Sequence, residues 1–113
     1  MSLIPCRSVG GLVLKRDDQI KVIVVGEQLV ALSPTEYRLL CVLLDGEIVE
    51  DQDLIAAIYP SNRHPDQLLL KNLEKHMENA KNKLRPTKLS IRRIHQYGYM
   101  LVGEKEGSSS PVG

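Results

Sequence analysis

IRRIHQYGYML, residues 91–101, decides how the rest of the chain is read. Ile91 and Ile94 are interleaved with Arg92, Arg93, His95 and Gln96, and Tyr97, Tyr99 and Leu101 then fall at every second position, the period of a strand with one buried face. With Leu89 ahead of it, the stretch predicts a two-stranded hairpin whose tip carries the polar and basic residues. Gly98 between two tyrosines points to a bulge or to close approach of another backbone. In this reading the tyrosines and glycine anchor the second strand in the core, and the basic residues just before them stay outside.

Upstream of Pro86 the apolar pattern changes to that of a helix. Leu70, Leu73, Met77, Ala80 and Leu84 form one stripe of a helix expected over about 65–84, the longest element of the chain. Away from that stripe lie Asn72, Lys75, His76, Asn79 and Lys83, spaced i, i+3, i+4, i+7, i+11. A charged helix side is ordinarily a solvated face. Asparagine and histidine, however, are mediocre helix formers that solubility alone would not select over glutamate or lysine.

Further upstream, LSPTEYRLLCVLLDG (32–46) opens with a capping box. Ser33 and Glu36 stand at the spacing that satisfies two helix N–H groups, and Pro34 occupies the first helical position, where a missing N–H does no harm. Leu39, Leu40, Leu43 and Leu44 follow at helical spacing until Gly46 ends the run. EDQDLIAAIYP (50–60) predicts a shorter helix: its acidic start suits the helix dipole, Leu54, Ile55 and Ile58 supply one apolar face, and Pro60 stops it. EIV (47–49) reads as a short bridging strand and SNRHP (61–65) as a loop. Residues 11–32 contain aliphatic clusters broken at Arg16-Asp17-Asp18 and Gly26-Glu27-Gln28, which predicts an antiparallel meander of three strands with the aspartates as turn formers.

The chain is long enough for one domain and too short for two. The expected division is a leader over 1–9, the domain over 10–102 and a flexible tail or linker over 103–113. A composition of 42% hydrophobic and 26% charged residues is that of an ordinary globular protein. No apolar run is long enough to span a bilayer and the N-terminus lacks the layout of a signal peptide, so no membrane partner is expected and a cytoplasmic location is the default. Cys6 and Cys41 make no disulfide framework, and Cys41 reads as a small core residue. His64, His76 and His95 have no metal-ligand spacing with one another or with a cysteine, so neither metal nor cofactor is expected. Catalysis is not expected either. Ser33 is accounted for as a cap, no glycine-rich phosphate loop is present, and no nucleophile, base and orienting acid form a local arrangement.

The net charge of +1 hides a segregation. From Arg63 to His95 nine lysines and arginines face three acids, a balance of +6, while the rest of the chain carries six basic and eleven acidic residues, a balance of −5. A segregated basic face is the electrostatic footprint of a polyanion partner, although a basic helix exposed for solubility gives the same count. The element order is strands, capped helix, short helix, long helix with a cationic flank, basic hairpin. That order is an α+β winged helix-turn-helix preceded by an antiparallel sheet. In such a module the third helix enters the major groove of double-stranded DNA and the hairpin lies along the adjacent backbone or minor groove.

GLVL (11–14), LSPTEYRLLCVLLDG, LEKHMENAKNKL (73–84) and IRRIHQYGYML together resemble the landmarks of the OmpR/PhoB-type effector domain of two-component response regulators. The resemblance implies a four-stranded N-terminal sheet, three helices, a C-terminal hairpin wing, binding to repeated DNA half-sites as tandem or dimeric copies, and a 60–67 loop able to touch RNA polymerase. It places Asn72, Lys75, His76 and Asn79 at positions that face bases. Arg63, Lys71, Lys83, Arg92, Arg93, His95 and Gln96 are the expected contacts to backbone or from the wing. Glu78 departs from the family pattern, where arginine or serine is usual, and Gln96 stands where the wing tip usually has glycine. The receiver half of a response regulator is absent from this sequence. The rival expectation is a winged helix that docks proteins through IYPSNRHPDQLL (58–69), for which the +6 segment would have no use.

Overall fold

The computed structural model describes residues 3–60 and 67–103. Four strands come first: β1 (Ile4–Pro5), β2 (Leu14–Asp17), β3 (Val22–Val25) and β4 (Gln28–Ala31), all antiparallel and paired in chain order. Then follow α1 (Pro34–Asp45), β5 (Val49–Glu50), α2 (Asp51–Ile58), α3 (Gln67–Leu84), β6 (Leu89–Ile94) and β7 (Gly98–Gly103). The last three strands form a second antiparallel sheet with β7 between β5 and β6. Among the described residues, three helices and two antiparallel sheets make an α+β fold with a winged-helix-like layout, the hairpin following the longest helix.

The meander is held by the features its sequence suggests. Asp17 is buried, and its Oδ1 accepts from the amides of Gln19 at 2.9 Å and Ile20 at 3.3 Å, closing the β2–β3 turn with its own side chain. In α1, Glu36 N donates to Ser33 Oγ at 3.2 Å and Ser33 N donates to Glu36 Oε1 at 3.0 Å, the reciprocal bonds of a capping box. Leu39, Leu40 and Leu43 are fully buried at the centre of a core that also takes Leu14 and Ile23 from the sheet, Leu54 and Ile55 from α2, Leu73, Met77, Ala80 and Leu84 from α3, and Leu89, Ile91, Tyr99 and Leu101 from the hairpin. All three helices and both sheets therefore share one core.

One boundary differs from expectation. The segment read as a leader over 1–9 supplies β1, and Val9 is buried in the core. A two-residue pairing has too short a period to announce itself in sequence, and Pro5 is tolerated because β1 is an edge strand. Arg7 from the same segment also finishes α1. Gly46 does not take the left-handed conformation that usually closes a helix, having φ −137°. Arg7 instead donates from Nε to Leu44 O at 2.7 Å, and from a terminal guanidinium nitrogen to Leu43 O at 3.1 Å and Gly46 O at 2.7 Å. These carbonyls are among the orphan acceptors of a helix end, and a cation there also opposes the helix dipole. Arg7→Ala is expected to lower stability by roughly 1–2 kcal/mol in chemical denaturation, with Arg7→Lys recovering only part because an ammonium cannot fork across three acceptors.

Candidate nucleic-acid interface

The buried stripe of α3 sets what the helix shows to solvent. Leu73, Met77, Ala80 and Leu84 point inward, Leu70 is half-buried, and the opposite surface carries Lys71, Lys75 and Asn79, all exposed, with exposed Lys83 on the flank toward α1. Asn72 and His76 lie at the margin of that surface and are half-buried. The proposed base-reading set is therefore split between two outward side chains, Lys75 and Asn79, and two that rise from the helix flank. Arg63 and the rest of 61–66 lie outside the described residues, as does most of the 60–67 loop.

The other flank of α3 faces the hairpin across a groove of about 290 Å³ lined by Glu74, Met77, Glu78, Lys81, Ile91, Arg93 and Tyr99. Two carboxylates stand on the helix wall of that groove. Glu78, singled out from sequence as a departure, thus lines the groove between helix and hairpin and is itself exposed.

Lys83 and Arg93, both expected to contact phosphate, are engaged within the protein. Lys83 Nζ donates to Glu36 Oε1 at 2.7 Å, tying the end of α3 to the capping box of α1. Burial pushes the Glu36 carboxyl upward, but Lys83 together with the Ser33 backbone and hydroxyl outweighs it and holds the group below the ordinary glutamate range. Arg93 donates to Asp51 Oδ1 at 2.6 Å, at the first turn of α2, and its guanidinium lies 4.7 Å from the centroid of the Tyr99 ring. The hydrogen bond to Asp51 raises the guanidinium pKa further.

The hairpin forms as expected, with His95 and Gln96 at its tip and Arg92 and Arg93 within β6. Arg92 pairs with Met100, Arg93 with Tyr99 and Ile94 with Gly98. Strand alternation puts Arg92 and Arg93 on opposite faces, and the Arg92 side chain forms no ion pair or hydrogen bond with another described residue. The tip is a tight turn in which Tyr97 N donates to Ile94 O at 2.8 Å, with His95 and Gln96 exposed. Gln96 has φ +52°, the left-handed backbone for which glycine is preferred at the third turn position, so this side chain is held out at a cost in local strain. Tyr99 is buried as expected, but Tyr97 is not an anchor. It is 49% exposed and donates its hydroxyl to Glu50 at 3.3 Å. Gly98 meets the close approach its position suggested: a Cβ there would lie 2.7 Å from Val49 C and 2.9 Å from Glu50 Cα.

The partners of these cations, Glu36 and Asp51, were not legible as such, because each pair joins residues more than 40 positions apart in the chain. Cys6 and Cys41 are free, half-buried thiols beside Arg16. Among the described residues no cluster of three or more His, Cys, Asp or Glu could hold a metal ion, and no helix is long and apolar enough to cross a membrane.

No protein-family model matches this chain, and no curated protein matches it. Among solved structures, one described as belonging to a novel family of redox sensors in the streptococci, evolved from two-component response regulators, matches with a TM-score of 0.67 and 18% sequence identity. The match covers 93% of this chain but only 44% of that structure, so the chain spans less than half the length of its neighbour. At this identity the likeness is one of fold: the chain is built like part of a protein descended from response regulators.

Proposed function

We propose that the chain is a sequence-specific DNA-binding domain for transcription control, of the OmpR/PhoB effector type, with α2 and α3 as its helix-turn-helix, α3 in the major groove and β6–β7 as the wing. The observation that carries this reading is the outward surface of α3: over 18 residues the helix turns Lys71, Lys75 and Asn79 to solvent with Asn72 and His76 beside them, next to a hairpin that exposes Arg92 and His95. Such a row supplies donors for base edges and charge for phosphate. The reading includes copies side by side on repeated half-sites, contact with RNA polymerase through the 60–67 loop, a cytoplasmic, nucleoid-associated location, and action without catalysis.

Selection from a random duplex library at moderate salt tests it directly. An enriched motif, above all one repeated at about one helical turn, is the expected outcome. Retention without enrichment, lost steeply as salt rises, would reduce α3 to a backbone binder. On the selected site, Asn79→Ala or His76→Ala should cost about 1–3 kcal/mol of binding and relax base preference at one position, whereas Lys71→Ala should weaken all sequences alike and flatten the salt slope by about one. Unchanged affinity and preference for Asn79→Ala would mean that α3 presents a different face.

A second reading, a winged helix that docks proteins, draws on Leu68, which is 66% exposed at the start of α3. It takes first place if the library returns nothing. Redox sensing, the role stated for the structural neighbour, has less support here. Burial pushes both the Cys6 and Cys41 thiols above their ordinary range, which lowers the thiolate fraction that oxidants attack.

A further inference from the structure

We propose that Arg93 is a positioning residue that sets the wing against α2, and that the strand's phosphate contact falls on Arg92 from the opposite face of β6. The inference rests on the DNA-binding reading and divides its wing residues by role. Arg93 is held from two sides. Its guanidinium meets Asp51 Oδ1 at 2.6 Å, with the Asp51 side chain only 13% exposed, and it lies over the ring of Tyr99, which is itself buried. The same turn is tied at the backbone, where Asp51 N donates to Tyr97 O at 2.9 Å. Two contacts, one ionic and one of main chain, thus join the hairpin to the first turn of α2.

The field around Arg93 also disfavours a phosphate. The groove it lines holds Glu74 and Glu78 against Lys81, and Asp51 closes one side, so the fixed charges there are three negative and two positive. A phosphate entering beside Arg93 would displace a short ion pair while facing two more carboxylates. Arg92, one residue earlier, points away from that groove, is exposed, and has no ionic partner among the described residues. An arginine in that state loses no protein contact on meeting DNA and releases a condensed counterion when it does.

The test uses the duplex recovered by library selection and measures the dissociation constant against salt for the wild type and four variants. Arg92→Gln should flatten the logarithmic salt slope by about 0.9, the value for one phosphate lost, with no change in melting temperature. Arg93→Gln should keep the wild-type slope while weakening binding about equally at every salt concentration and lowering the melting temperature. Arg93→Asp should bind worst, and exchanging the pair in Asp51→Arg/Arg93→Asp should recover at least tenfold of that loss, since a swapped bridge can hold the wing but an aspartate cannot bind phosphate. A slope flattened by Arg93→Gln, or an exchanged pair no better than Arg93→Asp alone, overturns the assignment while leaving DNA binding intact. Absence of wild-type binding to any duplex sinks the underlying reading and this assignment with it.

Discussion

Gly98→Val is expected to lower the unfolding free energy by about 3 kcal/mol or more, the upper range for overpacking, because the obstacle is main chain and cannot rotate away. A Cβ at position 98 would stand 2.7 Å from Val49 C and 2.9 Å from Glu50 Cα. Those atoms belong to β5, a strand of two residues whose only ladder among the described residues is to β7 through Val49↔Tyr99 and Glu50↔Gly98. Relief requires β5 to leave β7. That movement drags the start of α2, which follows β5 directly and is bonded to Tyr97 O and to Arg93. At about 4 °C per kcal/mol for a domain of this size, thermal unfolding should shift down by about 12 °C. Gly26→Asn provides the contrast. Gly26 has φ +63° with nothing within 4 Å of a Cβ, and asparagine tolerates that backbone, so the change should stay within about 0.5 kcal/mol. Equal melting temperatures for the Gly98→Val protein and the wild type would show that β5 does not pack against Gly98 in solution.

Glu36→Ala should cost about 2–3 kcal/mol, since one buried carboxylate serves two elements. It accepts from Ser33 N at 3.0 Å, completing the cap of α1, and from Lys83 Nζ at 2.7 Å, holding the last turn of α3. Removing it leaves a helix N–H without its acceptor and an ammonium without its counter-charge; the ammonium is partly exposed, which keeps the cost below that of breaking a fully buried pair. The pH dependence has a definite sign. Because the folded carboxyl titrates below the unfolded one, its contribution is complete above the ordinary glutamate pKa of about 4.3 and is lost as pH falls through the lower folded value. Denaturant midpoints of the wild type and Glu36→Ala should therefore differ most near neutrality and converge in acid. A gap that stays constant down to pH 3 would mean that Glu36 acts through packing and not through its charge.

The elements with a strong local period were legible before any coordinates. The leucines and the Ser33/Glu36 box define α1, the Leu73, Met77, Ala80, Leu84 stripe gives the phase of α3, and alternation through Leu89, Ile91, Tyr99 and Leu101 gives the hairpin. Once the phase of α3 is known, Lys75 and Asn79 must point outward, so that part of the candidate surface was also determined by sequence. The four-stranded count of the first sheet came from resemblance, because β1 has only two residues and no period of its own. What only the tertiary structure decided is which charges are spent inside the molecule. Arg7 reaches across 37 positions to Leu44, Arg93 across 42 to Asp51 and Lys83 across 47 to Glu36, and no local spacing encodes such pairs. A basic residue in a sequence carries its charge but not its partner. The +6 segment reads as one cationic face until folding brings Glu36 and Asp51 against two of its members and leaves Lys71, Lys75, Lys81, Arg85 and Arg92 exposed with no ionic partner among the described residues.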